Sequence, residues 1–194
     1  MIVLQHNCNG TLVPMMAALE AALERKAEVV CLQEPYVARK NDVSHPGFQI
    51  RWPECEKGET RVALAIRNDV LDRYVFEERT DLVSSPYVQC LDVWETQRRR
   101  KVRRTRLINI YNRARMAGGG YAIDRVDLAQ LIDGRVILAG DFNARSPAWD
   151  PWAARRCNAG TTEKLIEDHG LIVNNNDQPT RYGKNCRSII DLTL

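Results

Sequence analysis

This chain of 194 residues reads as an α/β protein of the layered type, two packed β-sheets with helices outside them. Three observations predict it. The short aliphatic runs Ile2-Val3-Leu4, Val29-Val30-Cys31-Leu32 and Val136-Ile137-Leu138-Ala139 have the pattern of strands buried on both faces. Helix-favouring segments lie near both ends, with period-two alternation between them. The aliphatic runs stop on amides or carboxylates: Asn7 and Asn9, Glu34, Asp141 and Asn143, and, after Ile189-Ile190, Asp191. Asp and Asn are depleted inside strands, and ligands of layered α/β proteins gather at strand ends, so the repetition points to one site.

In chain order, a strand over 2–7 leads to a helix over 12–26, where Ala17, Ala18, Leu19, Ala21, Ala22 and Leu23 favour helix. A buried strand follows at 28–33. Period two then takes over, and 48–52, 61–67 and 88–94 are predicted as strands separated by Gly, Pro and charged turns. Residues 106–111 return to the buried pattern, and 121–132 suits an amphipathic helix. A strand at 135–140, a helix at 161–169 with His169 before a Gly170 cap, and short strands at 171–174 and 187–193 complete the chain. Ala117 to Gly120 is a loop rather than a boundary. No repeat, low-complexity tract or linker divides the sequence, so one domain over 1–194 is expected.

A chain this long buries roughly 70% of the surface its unfolded form exposes, enough for a sizeable core. No apolar stretch approaches the roughly 20 residues of a membrane helix. The start lacks the basic region and extended apolar segment of a signal peptide. An intracellular protein, nuclear or cytoplasmic, monomeric and without a membrane partner, is expected. The six cysteines form no CxxC pair and share no metal-ligand spacing with the three histidines, which argues against zinc. Cys8, Cys31 and Cys90, in or beside strands, read as reduced core thiols.

Gly140-Asp141-Phe142-Asn143 directly follows a buried run, so an acid and an amide two residues apart face one side together. A carboxylate there can take a proton from water, and the amide can hold that water or a phosphate oxygen. The same pair equally suits the start of a turn. Glu34 is the best ligand for a hard cation, which prefers carboxylate oxygen and keeps several waters. Asn7 and Asn9 are neutral amides able to contact phosphate or metal-bound water without adding charge, or to form a turn with Gly10.

The segments QHNCNG (5–10), CLQEP (31–35), LINIYNRAR (107–115), GDFNA (140–144) and SIIDLTL (188–194) occur in the order expected of the endonuclease/exonuclease/phosphatase superfamily. The chain most resembles the apurinic-type endonuclease domain of non-LTR retrotransposons, with Trp149 shortly after GDFN and the IDLTL ending. The resemblance runs from residue 2 to the last. It implies a DNase I-like four-layer sandwich of two mixed β-sheets flanked by helices. It also implies metal-dependent phosphodiester hydrolysis of DNA, a target-site nicking activity using Mg²⁺ or alternatively Mn²⁺, and a parent chain with a reverse transcriptase domain. Carried over residue by residue, it makes Glu34 and Asn9 the metal-side residues. Asp141 positions or deprotonates the attacking water, Asn143 and Asn7 support the phosphate, and the Tyr111 hydroxyl approaches it. Asp191 matches the acid that orients a catalytic His.

Two features depart from the pattern. Ala114 stands where many relatives carry Asn, leaving Asn112, Arg113 and Arg115 as candidate phosphate contacts. The Ser-Asp-His motif expected after Asp191 is not reached by Leu194, and His6, His45 and His169 lie in other contexts. The expectation is therefore a C-terminally incomplete domain, lacking its last strand, that cuts DNA weakly or not at all.

Seven cations in the nine residues 98–106 concentrate positive charge in a chain of net charge +3. The run suits a DNA patch, with Arg103 and Arg104 as contacts, a solvated hairpin tip between 88–94 and 107–111, or a nuclear localisation signal. Trp149, Trp152, Arg155 and Arg156 suit stacking on nucleic acid or packing under the loop, packing being favoured for Trp149. Thr180-Arg181-Tyr182 falls where relatives present a loop near DNA. Two other functions fit the same residues: a noncatalytic nucleic-acid-binding relic and a phosphomonoesterase of the superfamily.

Overall fold

The computed structural model describes residues 1–37, 43–55, 60–96, 104–113, 116, 119–183 and 186–194. Eleven strands and two α-helices are present among them: β1 Val3–Asn7, α1 Leu12–Glu24, β2 Val29–Gln33, β3 Phe48–Arg51, β4 Val62–Arg67, β5 Tyr74–Glu78, β6 Val88–Glu95, β7 Thr105–Tyr111, β8 Arg135–Asp141, α2 Gly160–His169, β9 Arg181–Gly183, β10 Cys186–Ser188 and β11 Asp191–Thr193. One sheet has the order β1-β2-β4-β3 and a second the order β11-β8-β7-β6-β5, while β9 and β10 form a two-stranded ribbon. Both sheets are mixed. The pairs β1–β2 and β7–β8 are parallel, and the remaining pairs within the two sheets are antiparallel.

Side-chain alternation along the strands builds the layers. The β2 residues Val30 and Leu32 face α1, where Met15, Ala18, Leu19 and Ala22 form the buried stripe. Val29 and Cys31 face the other way and meet Leu91, Val93, Leu107 and Ala139 of the second sheet. The far side of that sheet, through Ile108, Ile110 and Leu138, packs on Leu165 of α2 and on Ile123 and Leu131. The four layers are α1, the two sheets, and α2 with its neighbouring turns, the architecture expected from the sequence.

Three local expectations are corrected and one strand was missed. The single strand expected at 187–193 is split, Cys186–Ser188 lying in the ribbon and Asp191–Thr193 in the five-stranded sheet. Residues 121–132 form two 3-10 turns, Ala122–Arg125 and Ala129–Leu131, separated by extended backbone at Val126. A continuous helix through Ile123 would turn Asp127 inward; the break lets Ile123, Leu128 and Leu131 all reach the core. Strand β5 was not foreseen, although Tyr74 and Phe76 alternate as buried edge-strand residues. Residues 171–174 are not a strand; that segment lies beside β11 through Asn174 N–H to Thr193 O (2.8 Å) and through Asn175, whose amide donates to Asp191 O and accepts from Thr193 N–H.

Cys8, Cys31 and Cys90 are free and buried. Burial pushes the Cys8 and Cys90 thiols up to about 12, so they are packing groups rather than nucleophiles. Trp149 is buried in the core beneath the GDFN loop.

The close pairing of β7 with β8 depends on Gly140. A Cβ there would lie 2.0 Å from the Ile110 carbonyl oxygen, and moving backbone away would shift Tyr111 against Asp141, which are register partners. Gly140→Ala should destabilise the fold by about 1–3 kcal/mol, the usual cost of overpacking a core, as measured by denaturant unfolding. A change within about 0.5 kcal/mol, the range of ordinary surface substitutions, would show that the contact is not constraining.

Candidate active site

Strand register delivers the polar side chains to one end of the layer between the sheets. The parallel pairing of β7 with β8 sets Tyr111 beside Asp141, and antiparallel β11 sets Asp191 opposite Asp141. Parallel β1 and β2 bring Asn7 level with Gln33, one residue before Glu34. Asn7 Nδ2 donates to Asp141 Oδ2 (2.9 Å) and to Glu34 Oε2 (3.3 Å), joining the two carboxylates across the sheets. Asn143 N–H donates to Asp141 Oδ1 (2.8 Å), and Asn143 Nδ2 to Asn112 O (3.2 Å). The Tyr111 hydroxyl is hydrogen-bonded to Glu34. A cleft of about 330 Å³ is lined by Glu34, Arg61, Tyr111, Arg113 and Asn143.

Three residues here hold left-handed backbone: Asn9 (φ 50°), Glu34 (φ 43°) and Asn143 (φ 47°). Asn tolerates that conformation, whereas a Glu does so only where its surroundings impose it. Glu34 is fixed on both sides, its N–H donating to Arg61 O (2.8 Å) and its carbonyl accepting Gly10 N–H (2.8 Å).

Burial, reinforced by the charge of Asp191, pushes the Asp141 carboxyl up to about 7 against the hydrogen bonds from Asn143 and Asn7. Asp191 is also raised by burial, with Thr180 and Gln5 opposing. Burial raises the Tyr111 phenol and Glu34 adds to the shift, so the phenol stays protonated.

Below the cleft runs a chain of amides absent from the sequence reading. Gln5 Nε2 donates to Asp191 Oδ1 (2.9 Å) and Gln33 Oε1 (3.0 Å), and Gln33 Nε2 donates to Asn109 Oδ1 (2.6 Å). Asn109 Nδ2 then reaches Leu32 O and Ala63 O of the opposite sheet (3.1 and 2.9 Å). The available signal was an amide inside an aliphatic run, Leu107-Ile108-Asn109-Ile110 and Cys31-Leu32-Gln33.

Other candidates are placed differently. Asn112, expected at the phosphate, is fully buried; it donates to Phe142 O (2.8 Å), accepts Ile123 N–H (3.2 Å), and ties loops together instead. Asn9 is exposed, with its N–H on Asn7 Oδ1 (2.8 Å). Arg113 is exposed at the cleft, hydrogen-bonded to Tyr87, which raises its pKa. Arg104, expected on DNA, is instead bonded to Asp92 and Asp133 (both 3.1 Å). It precedes the first residue of β7, roughly 20 Å along the strand from Tyr111 at about 3.3 Å per residue. Arg106, in the same run, is buried on Asp92 as well. Burial alone would raise Asp92, but the Arg106 and Arg79 guanidiniums outweigh it and hold the carboxyl below its ordinary value. Arg103 and Arg115 lie outside the described residues. Arg181 and Tyr182 belong to the ribbon, Tyr182 exposed, and the Arg187 guanidinium lies over the Trp152 ring at 4.5 Å.

Comparison with known proteins bears on the fold and the family. Residues 105–194 match the family described as endonuclease-reverse transcriptase. No curated protein matches by sequence. Among solved structures, the endonuclease domain of TRAS1, a telomere-specific non-LTR retrotransposon, superposes with a TM-score of 0.74 at 21% identity, over 98% of this chain and 82% of that one. The catalytic domain of Xenopus laevis APE2 gives 0.54 at 11% identity, over 100% and 81%. The chain thus has the fold of these endonuclease domains, and its second half matches the endonuclease-reverse transcriptase family model.

Proposed function

We propose that this chain is a nicking endonuclease that hydrolyses DNA phosphodiester bonds with the help of a divalent cation. The observation that carries the reading is Asp141, a buried carboxylate raised to about 7, bonded through Asn7 to Glu34 at a cleft lined by Tyr111, Arg113 and Asn143. The match to the endonuclease-reverse transcriptase family supports a nucleic-acid substrate over a lipid or inositol phosphate, and a parent chain carrying reverse transcriptase.

Asp141 takes a proton from the attacking water, for which a carboxylate of raised pKa is the better base. The bonds from Asn143 N–H and Asn7 Nδ2 fix the direction of its oxygens. Asn7 also holds Glu34 at a set position relative to that base. Tyr111, protonated, donates to a phosphate oxygen once substrate takes its hydroxyl from Glu34, and the Asn143 amide supports the same group. The donors at Glu34, one carboxylate among amide and phenol groups, suit Mg²⁺, which keeps most of its waters, and Mn²⁺ shares the preference for oxygen. No cluster of three or more His, Cys, Asp or Glu able to hold a metal occurs among the described residues, so this is no all-protein cage. Bound beside Glu34, the cation would neutralise phosphate charge and assist the departing oxygen.

A second reading, a noncatalytic DNA-binding module, is favoured by the histidines. His45 bonds Glu20 (3.1 Å) and His169 ends α2. His6, half-buried on β1, has its pKa lowered by burial against the Asp191 charge. None lines the cleft, so no imidazole assists the leaving oxygen and cutting by this chain is expected to be slow.

Nicking of supercoiled plasmid should therefore be weak and dependent on Mg²⁺ or Mn²⁺, and Asp141→Ala should slow it by at least about 100-fold, as for loss of a general base. Binding without nicking at any metal concentration would favour the second reading. The pH profile gives a separate check. Asp141 acts unprotonated, and a nearby cation draws its midpoint down from about 7. The rate at saturating metal should rise with pH along a limb whose midpoint lies at or below that value, then level off. A rate that falls as pH rises over that limb would remove Asp141 from the role of base.

A further inference from the structure

Arg61, to which the family pattern assigned no role, enters the cleft from a position that backbone geometry fixes. Its carbonyl accepts Glu34 N–H (2.8 Å) and its own N–H donates to Pro86 O (2.6 Å), so the residue is pinned directly beside the metal-side carboxylate. It stands just before β4 in the first sheet, while Arg113 follows β7 in the second. Both arginines thus line one opening from opposite sheets, together with Glu34, Tyr111 and Asn143 among the described residues. Among those lining residues two cations face one carboxylate, and Asp141 lies beneath, 4% exposed. Two cations at the mouth have the sign that a phosphate requires. Neither arginine belongs to the basic run, whose described members Arg104 and Arg106 are bonded to Asp92 at the far end of β7.

We propose that Arg61 is a DNA phosphate-binding residue, forming with Arg113 a two-sided clamp that seats the strand over Glu34. The inference rests on the DNA reading above. An Arg fork matches the paired oxygens of a phosphate, whereas a Lys supplies only a point charge. A clamp residue acts on substrate binding, so its loss raises KM more than it lowers kcat.

The test is duplex DNA binding by fluorescence anisotropy across a salt series, with the full chain and its Arg61→Ala, Arg61→Lys, Arg113→Ala and Arg73→Ala variants, each checked by circular dichroism. The slope of log affinity against log salt should shrink by about 0.9 for Arg61→Ala and again for Arg113→Ala, one duplex phosphate contact each. Arg61→Lys should keep the slope and weaken affinity. Arg73→Ala, whose guanidinium pairs with Glu28 and Glu95 at the other end of the molecule, should leave both unchanged. An unaltered slope in folded Arg61→Ala would overturn the clamp even if the parent nicks DNA. A reduced slope in a parent that does not nick would retain the clamp and reject the cleavage reading, and a parent that does not bind duplex would overturn both.

Discussion

The layer between the two sheets changes character along the strands, and the rest of the structure follows from how that change is stabilised. At one end it holds Val29, Ile66, Leu91 and Leu107. At the other it holds Gln5, Gln33, Asn109, Asn7 and Asp141, all largely removed from water. Unpaired amides at such depth would each cost a few kcal/mol, so the sheets must stack where every amide finds a partner. The chain from Asp191 through Gln5, Gln33 and Asn109 to the carbonyls of Leu32 and Ala63 meets that demand, and it does so only at one offset of the sheets. A slide of either sheet would break several of these bonds together, which makes the offset cooperative.

That offset places the chemistry. With the sheets locked, Asn7 from one meets Asp141 from the other, and Glu34 turns its carboxylate toward the same point from a left-handed backbone. Burial and the neighbouring charges of Asp191 and Glu34 keep Asp141 basic, against the hydrogen bonds from Asn143 and Asn7. The contrast with Asp92 is instructive. It is as deeply buried, but three arginines surround it and its carboxyl moves the opposite way. One cluster is an ion network; the other holds its carboxylates chiefly on amides.

Much of this was legible in the sequence, because the site residues terminate strands and strand termination by Asn, Glu or Asp runs against propensity. The aliphatic runs likewise declared the central strands β2, β7 and β8. What was not legible depends on partners distant along the chain. Asn112 reads as a loop amide free for phosphate, and only the fold shows it enclosed by Phe142 and Ile123. Arg104 and Arg106 read as part of a solvated basic run until Asp92, on the neighbouring strand, claims both. Arg61 carried no local mark, being one more cation at the start of a strand. The misread helix at 121–132 failed on period, since Val126 interrupts it to keep Asp127 out of the core.

The claim at the centre is that Asp141 is a base tuned by its burial and coupled to a cation at Glu34. Carbon-13 NMR of the Asp141 carboxyl, titrated with pH in the metal-free protein, tests it most directly. The midpoint should lie near 7, fall when Mg²⁺ is added, and fail to respond to Mg²⁺ in Glu34→Gln. A midpoint near about 4, the ordinary carboxylate value, or one indifferent to Mg²⁺ in the unaltered chain, would contradict it.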